Sequence, residues 1–254
     1  LPESVMTDID SFPLSESQIR KAVIQYSDPT EARKVRCKAL AILLSHADSA
    51  RPHLKMAFCA ATDKSRLDYA RLLGFLGERD GVPELRAALE RVEGWDPKIL
   101  QGRMAEYAHL PTPVDSLILA LGYSGDHSNV PTILSWLERL DAKVTLSHHR
   151  AVAIALESLN DPEAARPLAR LLRKPGMSGH AMTELEPLFD RTVERRRRIG
   201  PLREIELARV LYRCGDYQGT GERILNEYRH DIRGLFARHA QAVLRDNSTA
   251  ATAD

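Results

Sequence analysis

At 254 residues, 43% of them hydrophobic and 28% charged, the chain holds enough apolar material for a folded core, which excludes a disordered polymer. Its 36 basic residues are offset by 35 acidic ones, and a net charge of +1 excludes the basic excess of a general nucleic-acid binder. Aromatics are 6% while Leu, Ala, Arg and Glu dominate, a mix that favours helices, and no apolar run reaches the roughly 18 residues needed to span a bilayer.

Taken in chain order, residues 1–14 read as a flexible N-terminus. Apolar spacing then predicts helices over 15–26, 30–46 and 49–61, whose irregular pattern suits a capping element. Helices at 64–77 and 82–92 follow, and with them a template that recurs. Gly74 and Gly77 reappear as Gly122 and Gly125, each 48 residues on, and Val82-Pro83 reappears as Val130-Pro131. A third copy lies 35 residues later, with Leu121 mapping to Leu156, Asp126 to Asp161 and Leu137 to Leu172. A looser fourth copy runs through Leu211, Gly215-Asp216, Ile224 and Tyr228. The corresponding helices are 114–124, 128–140, 147–159, 162–173, 183–193, 202–214, 218–229 and 232–245, followed by a disordered tail, 246–254.

Two helices per unit at a period of about 35 to 47 residues is the pattern of HEAT-like repeats. The expectation is an all-α, α-α superhelix of 12–13 helices stacked as antiparallel pairs, forming one domain over 15–245. Stripes such as Val114, Leu117, Ile118 and Leu121 cannot be buried by one helix alone, so each helix depends on its neighbours. Gly77 and Gly125 stand where left-handed residues end helices, and Asp161-Pro162 reads as a cap followed by a first-turn proline.

The insertion 93–113 interrupts the repeats and carries Trp95, Met104, Tyr107 and His109 among glycines and prolines, making it a candidate partner-binding loop. His148, His149 and His180 could stand on neighbouring helices, yet no HExxH occurs and adjacent histidines on a helix point about 100° apart. Capping or packing is their ordinary role; partner binding is the functional one. The run Arg195-Arg196-Arg197-Arg198 could grip an acidic protein surface or phosphates, although flanking glutamates suggest a solvated, paired face. The stretch His230 to His239 is polar enough for an end cap or a docking edge.

No GxxxxGK[ST], GxGxxG or GxSxG occurs, and Cys37, Cys59 and Cys214 are too far apart for a CxxC centre. Buried free thiols are expected of them. These residues point to no catalytic group, no metal and no cofactor held by this chain.

Several strings stand in a suggestive order: Asp115–Gly122, Ser147–Val152, Lys174–Ala181, Gly200–Ile205, Leu211–Asp216 and Ala237–Leu244. This order resembles the C-terminal HEAT-like region of bacterial FAD-dependent oxidoreductases, over roughly residues 65–245. The resemblance implies a flavin fold elsewhere in a parent protein, FAD only there, and an accessory role for this chain; no flavin-contacting residue carries over. The residues by themselves point first to a non-catalytic scaffold for protein partners, second to that accessory domain, and third to a HEAT-like nucleic-acid binder, which the charge disfavours. A start at Leu1 rather than Met fits a fragment or processed product, so no compartment follows.

Overall fold

The computed structural model describes residues 14–62, 64–96, 111–184 and 198–250, with side chains to residue 246. Among them are twelve α-helices and no strand, so the chain is all-α. Its contacts divide into two compact units, 1–84 and 85–254.

The first unit holds α1 (Glu16–Ser27), α2 (Arg33–Ser45), α3 (Ala47–Ala60) and α4 (Ser65–Phe75). Ser15 opens α1 with a capping box closed by Gln18. Helix α2 begins three residues later than expected, because Asp28 accepts from the Thr30 amide and holds residues 28–30 in a turn. Ile19, Val23, Leu43, Leu54, Phe58, Leu72 and Leu73 form the core. Inside it the Tyr69 hydroxyl meets Ser27 Oγ at 2.5 Å.

Helix α5 (Val82–Glu90) crosses the division. The second unit continues with α6 (Pro113–Tyr123), α7 (Val130–Leu137), α8 (Leu146–Leu159) and α9 (Ala165–Leu172). It closes with α10 (Ile199–Arg213), α11 (Thr220–Tyr228) and α12 (Gly234–Ala250). Helices α6, α8, α10 and α12 pack side by side in sequence, while α7 lies on α8, α9 on α10, and α11 on α10 and α12. This is the layering that stacked helix pairs require, each burying the stripe its neighbour exposes. The apolar stripes of the repeats are core: Ile118, Leu121, Ile133, Val152, Leu156, Leu168, Leu207 and Leu211 are buried.

In three repeats the second helix opens on a short 3₁₀ turn where the spacing predicts α-helix: 127–129, 162–164 and 217–219. Asp126 and Asp161 cap the first two by accepting from the Ser128 and Glu163 amides. Asp216 reaches further, to the amides of Gly221 and Glu222 at the start of α11. Gly77 and Gly125 adopt positive φ, 82° and 66°, ending their helices as expected.

Two expectations are corrected. Residues 246–250 are helical rather than loose, since nothing after Arg245 stops α12. Cys37 and Cys59 are exposed, and only Cys214 is buried. The helix expected at 183–193 lies outside the described residues apart from 183–184, which are not helical.

Candidate functional site

Three polar clusters organise the second unit. The first ties α6 to α8. Thr112 and Asp115 form a capping box at the start of α6. The second oxygen of Asp115 lies 2.6 Å from His148 Nδ1 on α8, both side chains fully enclosed. Trp95 stacks on the His148 ring with centroids 4.4 Å apart and meets Trp136 edge-on at 4.7 Å. Asp96 accepts from the Val114 amide at the same helix end. The start of the 93–113 insertion is therefore packing against α6, α7 and α8.

The second cluster fixes two loops with buried charge. On α10, Glu204 accepts from the Gly179 and His180 amides, each at 2.8 Å, and from the Tyr228 hydroxyl at 2.9 Å. Burial beside that carboxylate pushes the Tyr228 pKa up. Arg203 donates to the carbonyls of Ala142 and Gly176. Asp231 accepts from the Met182 amide and from Arg233, which in turn donates to the His180 carbonyl. His149 presses its two ring nitrogens against the carbonyls of Thr145 and Asp141, both at 3.0 Å. Burial holds its pKa down at about 4 against the pull of those two carbonyls, with the Arg203 charge adding to the fall.

The third cluster is a surface. Helices α8, α10 and α12 together wall an open cavity of about 280 Å³. Leu146, Leu202, Ile205, Leu235 and Phe236 supply its apolar walls, with Arg150, Glu206, Arg209 and His239 beside them. Arg150 pairs with Glu206 at 3.2 Å, and Arg209 with Glu157 at 2.7 Å. Further along the same face Arg213 bridges Glu157 and Asp246. Burial raises the Glu206 pKa despite the two arginines. Leu202 and Leu235 in the cavity wall are exposed by 39% and 66%, and Ile199 and Ile232, each three residues earlier in the chain, by 43% and 37%. They are four of the five large exposed apolar side chains described in this unit, the fifth being Tyr123. Two of them, Leu202 and Leu235, thus come together from different helices at one cavity.

Among the sequence-derived candidates, Met104, Tyr107, His109, Arg195, Arg196 and Arg197 lie outside the described residues. Trp95 is half-buried in packing, and His148 and His149 are enclosed on different partners. His180 rests over Gly200, its ring about 3.0 Å from where a β-carbon would sit. Arg198 is exposed just before α10. The three histidines do not share a ligand set: no group of three or more His, Cys, Asp or Glu suited to a metal exists among the described residues. Of the stretch 230–239, read as an end cap or a docking edge, Leu235, Phe236 and His239 line the cavity. The α8 and α10 walls are what sequence reasoning misses, although Arg198, Leu202, Glu206 and Arg209 do share one helical face.

Comparison of the chain with family models, with curated proteins and with solved structures finds no match.

Proposed function

We propose that the chain is a non-catalytic helical-repeat scaffold of the HEAT type that holds a protein partner on the face of α8, α10 and α12. The observation that carries this reading is the pair of exposed leucines, Leu202 and Leu235, in the wall of an open cavity formed by three neighbouring helices. Stacked repeats suit the role because their rows of helices make long surfaces on a rigid frame. The polar clusters of the same unit fasten its loops, which keeps the frame rigid. A photo-crosslinking residue at position 235, installed in the full chain in its source cells, should trap a discrete protein that the same residue at exposed Arg166 does not. Identical products from both positions, or none, would remove the proposal.

A second reading, the accessory region of an FAD-dependent oxidoreductase, is favoured by one observation. Lys174–His180 and Gly200–Glu204, strings on which that resemblance rests, are joined through Glu204 and Arg203. The described residues do not themselves fit a flavin. Gly77, Gly125 and Gly215 follow helix ends, and no described strand leads into a glycine turn and helix. Flavin would belong to another part of the parent protein. Reading the parent gene upstream of Leu1 tests this: a strand followed by GxGxxG supports it, and an upstream region without one counts against it.

A further inference from the structure

Resting on the docking reading above, we infer that the occupant of the α8–α10–α12 face is an acidic amphipathic segment of another protein. Its apolar side chains enter the cavity and its carboxylates meet Arg150, Arg198 and Arg238. The cavity, at about 280 Å³, is open to solvent and its walls are largely apolar, which suits the side chains of a peptide laid across it. The charge around it is lopsided. Arg198 precedes Leu202 by one helical turn, and Arg238 follows Leu235 by the same, so both cations flank the exposed leucines. Both are exposed and have no ion-pair partner among the described residues. Arg150 is part-exposed and makes a single 3.2 Å pairing with Glu206. Arg209 buries its Nε without an acceptor. Glu206 is the one carboxylate lining the cavity, and it is already engaged by Arg150. Leucines framed by cations select a partner that alternates apolar groups with carboxylates, and repel one that carries lysines there.

The test is selection of binders from a random displayed peptide library against the full chain. The recovered peptides are then measured by fluorescence anisotropy on wild type and on Leu235→Asp, Leu202→Asp and Arg238→Glu. These positions are exposed, so the variants fold, which circular dichroism checks. The expected result is peptides that alternate Leu, Ile or Phe with Asp or Glu. Their binding should fall by more than about tenfold in Leu235→Asp, fall several-fold in Arg238→Glu, and weaken with salt. Binders that depend on Leu235 yet carry no acidic excess overturn this inference and leave the docking reading standing. Binders indifferent to Leu235→Asp, or no binders, overturn both. Light scattering adds one more outcome: self-association abolished by Leu235→Asp would make a second copy the occupant and overturn the inference.

Discussion

His148 Nδ1 and the Asp115 carboxylate meet at 2.6 Å, joining α8 to the first turn of α6 inside the protein. The same carboxylate accepts from the Thr112 amide at 2.9 Å, so one buried group both caps a helix and receives its neighbour. Asp115→Ala strips the acceptor from a buried imidazole and a part-buried amide at once. The expected loss is about 3–5 kcal/mol, the scale for breaking a buried charge-assisted pair. Urea unfolding followed by fluorescence checks it, because the only two tryptophans, Trp95 and Trp136, lie beside the pair. A loss below about 1 kcal/mol would mean the pair is incidental.

What is legible in the sequence is the backbone's punctuation. Gly125 has to end a helix because only a residue at ease with positive φ closes that turn, and it does so at 66°. Asp161 before Pro162 announces a cap, and it caps. The stripes of α6 and α8 announce their buried faces. The docking face is not legible, because its parts are far apart in sequence: Arg150 and Glu206 are separated by 56 residues and carry no shared motif. Arg203 and Glu204 are equally opaque. Charged neighbours on a helix ordinarily face water, and only the loops they fasten account for their burial.

At Gly122 the backbone of α6 lies close against α8. A β-carbon there would lie 2.4 Å from the Ala155 Cα and 2.6 Å from its Cβ, backbone against backbone. Alanine would ordinarily favour a helix interior by about 1 kcal/mol over glycine. Here overpacking outweighs that, and Gly122→Ala should cost about 3 kcal/mol or more. Adding Ala155→Gly should restore only part of the loss, since the clash with the Cα remains. Gly94→Ala, with nothing within 4 Å, is the control. Melting temperatures of the wild type and these variants decide it; an unchanged Gly122→Ala variant would refute the close approach.

His149 gives stability a specific pH dependence. Its folded pKa is held at about 4 by burial and then by Arg203, whereas the unfolded imidazole titrates near its ordinary 6.5. The unfolded state therefore binds the proton first, and acid favours unfolding. The contribution is fully present above about pH 6.5 and drains away as pH falls toward 4, on the order of 3 kcal/mol across that window. Asp141 and Asp161, whose pKa values are lowered by hydrogen bonds from Lys143 and His127, act below it. His149→Gln should flatten the urea-derived stability curve between pH 6.5 and 4 while leaving the lower limb intact. An undiminished slope would show that another group carries it.

The three cysteines should separate cleanly by reactivity. Cys214 lies at the end of α10 with its Sγ 3.8 Å from the Leu156 carbonyl, and its thiol is pushed up to about 11 by burial, with Glu157 and Asp161 adding to the effect. Only the thiolate attacks, so at pH 8 about one molecule in a thousand is armed, and that one is walled off. Cys37 and Cys59 are exposed on α2 and α3. A chromogenic disulfide at pH 8 should titrate two thiols rapidly in the native protein and the third only with unfolding. Cys214→Ala should leave the fast phase untouched and remove the slow one. A third fast thiol in the wild type would mean that the end of α10 opens far more readily than its packing implies.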